Sequence, residues 1–178
     1  MNKAAFIDRD GVINEDREFV FRSADFHFVP GAVDALRALR EAGYRLVVIT
    51  NQSGIGRGLY SERDYLELER YMRARLEQAG VALDGIHHCP HAPETDCDCR
   101  KPRPGMLMAA IRELDIDPSQ SLLVGDRRAD IEAGRAAGVG RCFLVRSGKP
   151  LTDADARLAD DVYPDLAACA AAILRSGS

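Results

Sequence analysis

The sequence predicts a Rossmann-like α/β fold, a mostly parallel sheet with helices on both faces. Two observations carry this expectation. Short apolar, β-branched runs alternate with segments of helical period along the whole chain, the pattern of repeated β-α units. Polar clusters also fall directly after several of those runs, at the carboxyl edge where open α/β sheets take their ligands. A length of 178 residues suits one domain with a sizeable core and leaves little for a second.

Taken in order, Ala4-Ala5-Phe6-Ile7 is an apolar strand followed by a turn at Gly11. Gly31 to Ala42 reads as a helix with Val33, Leu36 and Leu39 on one face and Gly43 as its stop. Tyr44 to Thr50 is a buried strand by its continuous apolar, β-branched run. Ser61 can cap the next helix, with Asp64 three residues on. Tyr65, Leu68, Met72, Leu76 and Ala79 then recur at gaps of three and four up to Gly80, a core stripe rather than a cofactor site. A short strand is expected over Gly85 to Cys89, then an irregular segment to Pro104. Helix Gly105 to Leu114, strand Ser121 to Val124, helix Ala129 to Ala137 and strand Arg141 to Val145 follow. Ser147 to Ala159 reads as surface chain, Asp161 to Tyr163 as an edge strand, and Asp165 to Leu174 as the last helix, with residues 176–178 frayed.

The net charge of −4 argues against a broad nucleic-acid-binding face, and admits an anionic substrate only where positive charge is gathered locally. No apolar run approaches the ~20 residues of a membrane span. Met1-Asn2-Lys3 leads directly into a strand, so no signal peptide is expected and the reading is cytoplasmic. Without an obvious apolar surface stripe, a monomer is the expectation.

The chemistry starts at Asp8 and Asp10. Residues two apart on an extended chain point to the same side, so two carboxylates converge where the first strand stops. Alone, such a pair is more often two solvated turn aspartates. Here three further clusters are read as following predicted strands: Thr50-Asn51-Gln52-Ser53, Arg100-Lys101 before Pro102, and Gly125-Asp126-Arg127-Arg128-Ala129-Asp130. Together they supply what phosphoryl transfer needs. Asp8 can attack phosphorus, and Asp10 can protonate the leaving oxygen and later activate water. Asp8, Asp126 and the main-chain carbonyl of Asp10 offer the hard oxygen ligands that Mg²⁺ prefers. Thr50 and Lys101 can stabilise charge on the transferred oxygens. Asp130 is either a partner of the metal site or the first-turn acid favoured at a helix N-terminus.

Five cysteines are present. Cys142 and Cys169 lie in apolar surroundings and read as packing residues. Cys89-Pro90-His91 and Cys97-Asp98-Cys99 instead put three thiols and an imidazole within eleven residues. That donor set fits a closed, structural tetrahedral Zn²⁺ site that would pin the loop leading into Arg100-Lys101; free thiols or a disulfide are the rival readings. His88 is an alternative ligand, while His87 and His27 carry no signal.

The order DRDGV, VVIT, RKP and VGDRRAD, spanning about Ala4 to Val145, resembles the haloacid dehalogenase superfamily of phosphatases. Some members carry an inserted cap domain. Here about forty residues separate Asp10 from Thr50 and about fifty separate Asn51 from Lys101, and core elements use most of them. No cap is therefore expected, and loops must select the substrate. Among capless members with a zinc loop, DRDGVINED, VITNQSGIGRGLY, CRKPRPGM and AGRAAGV look like the heptose-bisphosphate phosphatases. Histidinol-phosphate phosphatases, the alternative, tend to have DGTLI and SNQDG at the first two motifs. The resemblance implies a small phosphorylated sugar as substrate, bound by Asp16, Arg17, Glu18 and Phe19 and by Thr50, Asn51, Gln52 and Ser53. It also implies Lys101 on the reacting phosphate and Arg100 on the distal part of the substrate, with Arg127 assisting or merely solvated. Arg57 and Arg103 are unplaced.

Overall fold

Strands β1 (Ala4–Ile7), β2 (Arg45–Asn51), β3 (Gly85–Cys89), β4 (Leu122–Gly125), β5 (Arg141–Val145) and β6 (Asp161–Tyr163) form one sheet in the order β3-β2-β1-β4-β5-β6. This is seen in the computed structural model, which describes residues 1–177. All five pairings are parallel. The four residues of β1 are buried, as are five consecutive residues of β2. Strands apolar on both faces need helices above and below.

The two layers sort by alternation along β1. Ala5 and Ile7 enter one core with side chains of helices α1 (Ala32–Glu41), α3 (Glu62–Gln78) and α7 (Leu166–Ser176). Ala4 and Phe6 enter the other with α4 (Gly105–Glu113) and α5 (Arg128–Ala136). The chain steps outward from β1 to β2 and β3, then returns past β1 to β4 and continues the other way. With crossovers of one hand, that reversal moves the helices to the opposite face. It also makes the β1/β4 boundary the switch point, where ligands bind at strand carboxyl ends.

Most expected elements are present within a residue or two. Ser61 caps α3 through its hydroxyl, which accepts from Asp64 N at 3.1 Å, while Asp64 Oδ2 accepts from Ser61 N at 2.8 Å. Two short helices were not anticipated, α2 (Ser53–Gly56) and α6 (Asp153–Ala156). The second lies within 147–159, the stretch read as surface chain, in which every residue is exposed or half-buried. Thr152 and Asp155 form the same reciprocal cap as Ser61 and Asp64, and the half-buried Ser147 to Lys149 also reach the carboxyl end of β4. Helix α7 runs to Ser176, two residues beyond the expected end, with the Ser176 hydroxyl donating to Ile173 O at 2.9 Å. Of the expected frayed end, Ser178 lies outside the described residues.

Cys142 and Cys169 are fully buried, and burial pushes their thiols up to about 11 and about 12. They are packing residues, inert as thiolates. Among the described residues, no helix is long and apolar enough to cross a membrane.

Candidate active site

Asp8, Lys101, Asp126 and Asp130, from three parts of the chain, meet at the switch point. Lys101, only 4% exposed, donates from Nζ to Asp8 Oδ1 at 3.0 Å, Asp130 Oδ1 at 2.7 Å and the Ile49 carbonyl at 2.8 Å. Its three protons are therefore all placed. Burial by itself lowers the Lys101 ammonium, but Asp130 and Asp8 outweigh it and hold the group charged. Asn51 fixes the Lys101 main chain from both sides, accepting from its N–H at 3.1 Å and donating to its carbonyl at 3.2 Å. Asp130 does more than start its helix. One oxygen pairs with Lys101, and the other accepts from Asp126 N at 3.1 Å and Arg127 N at 3.0 Å, closing the start of α5.

Asp126 is completely buried. Its Oδ2 accepts from Lys149 N at 2.9 Å, whereas Oδ1 is buried with no hydrogen-bond partner. Glycines set this orientation: a Cβ on Gly148 would lie 2.1 Å from Asp126 Oδ2, and one on Gly11 would lie 2.5 Å from the same atom. Gly11 also has φ +86°, a left-handed backbone that suits glycine. Burial first, then repulsion among the acids, raises the carboxyls of Asp8 and Asp126 above the usual range, although Lys101 opposes this at Asp8. Oxygens of Asp8, Asp126 and Asp130 lie within 4.8 Å of one another, all buried. An all-oxygen donor set, an excess of buried negative charge and the unpartnered Asp126 Oδ1 fit a small hard cation. The Asp10 carboxylate stands apart from this trio.

Asp10 is the centre of a second network. Its Oδ1 accepts from Arg9 Nη2 at 2.9 Å and Asn14 Nδ2 at 3.0 Å, and its Oδ2 accepts from Gln52 Nε2 at 3.0 Å. Burial raises the Asp10 carboxyl, but the Arg9 guanidinium and these hydrogen bonds prevail and hold it below the usual carboxylate range. Gln52 also donates to Thr50 Oγ1 at 2.9 Å and accepts from the Tyr60 hydroxyl. Thr50 is thus joined to Asp10 through one amide.

Above these networks opens a cavity of about 290 Å³. Asp8, Asp10, Lys101, Asn51, Gln52 and Ser53 form part of its lining. Asp16, Glu18, Phe19, Arg57, Arg100, Arg127 and Lys149 close it from the sides. Arg17 does not line it; its guanidinium is bound to Glu15 Oε2 at 2.9 and 3.2 Å. Arg103 is likewise elsewhere, donating to Cys97 O at 2.7 Å. Arg128 pairs with Glu132 within its helix. Arg127 is about half exposed and stands 4.0 Å from both Asp16 and Asp126. Arg100 Nη1 is buried without a partner, and Arg57 lies over the Phe19 ring at 5.7 Å. Sequence reasoning missed Tyr60 and Lys149. Lys149 was findable, since it follows β5 just as the other polar clusters follow their strands; Tyr60 had no local signal.

Cys89, His91, Cys97 and Cys99 converge beside this cavity, with donor atoms within 4.8 Å of one another. Cys99 Sγ is 2.9 Å from Cys89 Sγ and 3.2 Å from His91 Nδ1, and all three thiols are free of disulfides. Three sulfurs and one nitrogen around one point form a possible metal-binding group. His88 is not part of it: its ring stacks on Tyr65 at 4.0 Å and meets Glu62.

Comparison with known proteins agrees with this geometry. A family model described as HAD-hydrolase-like matches residues 98–169. The chain is 50% identical over 172 residues to the D-glycero-beta-D-manno-heptose-1,7-bisphosphate 7-phosphatase of Haemophilus influenzae, covering 93% of this chain and 94% of that one. It is 44% identical to the corresponding alpha enzyme of Photorhabdus laumondii, covering 85% of this chain and 86% of that one. The crystal structure of D,D-heptose 1,7-bisphosphate phosphatase from B. bronchiseptica, complexed with magnesium and phosphate, superposes with a TM-score of 0.86 at 34% identity, covering 98% and 99% of the two chains. Fold, site and relatives together define a phosphatase of the haloacid dehalogenase superfamily, a class that uses Mg²⁺. Within it, the chain belongs to the family of D-glycero-D-manno-heptose-1,7-bisphosphate 7-phosphatases. The histidinol-phosphate alternative finds no support in these relatives.

Proposed function

We propose that this chain removes the 7-phosphate of D-glycero-D-manno-heptose 1,7-bisphosphate, in formation of the bacterial heptose precursor of the lipopolysaccharide core. It would act in the cytoplasm as a monomer, and as one capless domain over residues 1–178 with a zinc loop at about 89–99. One observation carries the reading. Asp8 and Lys101 face a cavity whose side wall holds two guanidiniums without an anionic partner among the described residues, Arg100 with a buried, unbonded Nη1 and Arg57 over the Phe19 ring. A substrate with a second anionic group would satisfy that wall, whereas the cationic amino alcohol of histidinol phosphate would be repelled.

In the first half-reaction a carboxylate oxygen of Asp8 attacks phosphorus, forming an aspartyl phosphate as the bond to the sugar oxygen breaks. Asp10 gives its proton to the departing alkoxide. In the second, Asp10 takes a proton from water, which attacks the acyl phosphate and returns Asp8. The Arg9, Asn14 and Gln52 bonds favour the ionised Asp10 that the second step needs. An arriving phosphate dianion opposes that bias and helps load the proton for the first step. Lys101 and Thr50 stabilise charge on the equatorial oxygens. Asp8, Asp126 and the main-chain carbonyl of Asp10 would hold Mg²⁺, which when bound neutralises the repulsion between nucleophile and phosphate. Asp16, Glu18, Phe19, Asn51, Gln52, Ser53, Arg100 and Arg127 would contact substrate; Arg17, turned to Glu15, would not.

The test is phosphate release with Mg²⁺ at limiting substrate. A kcat/KM strongly in favour of the heptose 1,7-bisphosphate over histidinol phosphate is expected, and the reverse preference would overturn the assignment.

Zn²⁺ would be held by Cys89, His91, Cys97 and Cys99 in a site with no open position. The loop carrying it contacts α4 closely, since Gly105 N donates to Asp98 O at 3.0 Å and a Cβ there would sit 2.3 Å from that oxygen. Cys99→Ser should lower zinc from about one per chain to well under half, and lower the melting temperature by several degrees. Metal analysis showing full zinc retention would reject the site.

A further inference from the structure

One short turn after β5 reaches Gly11, Asp126, Asp16 and Glu18. Ser147 Oγ donates to the Gly11 carbonyl at 2.8 Å, and Lys149 N donates to Asp126 Oδ2 at 2.9 Å. Lys149 Nζ reaches across to Asp16 Oδ2 at 3.1 Å and Glu18 Oε1 at 3.9 Å. The Asp16 side chain is only 10% exposed, and its Oδ2 has no hydrogen-bond partner. Its neutralisation therefore rests on Lys149, with Arg127 farther off at 4.0 Å. The next residues are in an uncommon backbone state. Glu18 and Phe19 have φ +54° and +51°, two successive non-glycine residues in the left-handed region. Such a conformation persists only where its surroundings impose it. Inside the loop, Glu18 N donates to Asp16 Oδ1 at 3.1 Å, and the other side-chain bond is the exposed Arg17–Glu15 pair, so the buried Asp16 is the anchor of the turn.

We propose that Lys149 is a positioning residue that sets substrate selectivity, its ammonium holding Asp16 and Glu18 so that residues 16–19 form one wall of the cavity. This rests on the reading of the cavity as a sugar-bisphosphate site. The same residue's main-chain N–H holds Asp126 and does not depend on the side chain. Loss of the ammonium thus separates the two functions of the turn: the wall loosens while the Asp126 contact persists. Because an ion pair that orders a binding loop contributes to ground-state binding, its loss appears chiefly in KM. Methionine is the suitable replacement, since it keeps the aliphatic stem and removes the charge.

Lys149→Met should raise KM for the heptose bisphosphate about tenfold while kcat falls no more than about threefold. Selectivity for the bisphosphate over p-nitrophenyl phosphate, which lacks the sugar hydroxyls and the second phosphate, should drop by a similar factor. Lys149→Arg should recover most of both. Limited trypsin digestion supplies a readout independent of turnover: cleavage after the exposed Arg17 should quicken several-fold in Lys149→Met and not in Lys149→Arg. Unchanged KM and unchanged cleavage would overturn the proposal. So would an equal fall in kcat for both substrates, which would place the effect at Asp126. If the parent enzyme shows no preference for the bisphosphate, the substrate reading fails, and the Arg17 cleavage rates alone decide whether Lys149 holds the loop.

Discussion

Asp8→Asn is expected to reduce turnover by about 10⁴-fold or more, the scale of losing a covalent nucleophile, and to leave the fold intact. The two side chains are nearly isosteric. An asparagine oxygen at position 8 can still accept from Lys101 Nζ and from Arg9 N, which meet Asp8 Oδ1 at 3.0 and 2.9 Å. The metal-free variant should be at least as stable as the parent, with a pH dependence of definite sign. The Asp8 carboxyl is raised in the folded state, by burial above all and by the neighbouring Asp130, Asp126 and Asp10. Between its unfolded and folded pKa values the native state therefore binds more protons than the unfolded state, so parent stability falls as pH rises through that window. An asparagine does not titrate. The advantage of Asp8→Asn should be present above the raised pKa and vanish below about pH 4, the unfolded carboxylate value. Melting curves in a chelator at both ends of that range, paired with single-turnover assays in Mg²⁺, measure the two effects. Retention of most phosphatase activity would sink the aspartyl-phosphate mechanism.

Lys101→Met should be the more damaging change to stability, by about 3–5 kcal/mol, the cost of leaving buried charge without its partner. Methionine preserves the stem and the main-chain contacts with Asn51. What it removes is the cation that separates Asp8 from Asp130, each within hydrogen-bond distance of Nζ, at 3.0 and 2.7 Å. Activity should fall by about 10²–10³-fold or more, since the transferred oxygens lose a preorganised donor. The double variant Lys101→Met with Asp130→Asn separates the two effects. Removing one of the uncompensated carboxylates should return part of the stability and little of the activity, giving a coupling that a thermodynamic cycle reads directly. A Lys101→Met protein as stable as the parent would show that the buried cluster is protonated or hydrated instead of ion-paired.

The same cluster shows where sequence reasoning reaches and where it stops. Asp8 and Asp10 were legible as a pair because strand alternation is a local rule. The structure nevertheless divides them between two networks, Asp8 toward Lys101, and Asp10 toward Arg9, Asn14 and Gln52. Asp130 was legible as a first-turn acid or a partner of the metal site, but its bond to Lys101 was not, since that partner is 29 residues away in sequence. Asn51 looked like a substrate donor, and its bonds to the main chain of Lys101 appear only when β2 and the zinc loop are packed side by side. Arg100, Arg103, Arg127 and Arg128 are equivalent as letters. Burial distinguishes the unpartnered Arg100 from the half-exposed Arg127, and Arg103 belongs to the cysteine loop. The helix at Asp153–Ala156 went unread although its Thr-x-x-Asp cap uses the same rule that located α3.

By itself the sequence determined the succession of strands and helices, three polar clusters at strand ends and the cysteine-histidine donor set. Each of these follows from local physics: period, capping, turn chemistry and ligand type. The Arg100-Lys101 pair, by contrast, lies well beyond the end of β3 and reaches the site through the cysteine loop. Only the tertiary structure decided which charges neutralise one another and which remain open. The reversal of strand order at β1 and β4 brings Asp8, Lys101, Asp126 and Asp130 together. The turn after β5 then carries Lys149 to both Asp126 and Asp16. Electrostatic energy depends on distance and burial, and neither is defined until the sheet has closed the gaps between distant segments.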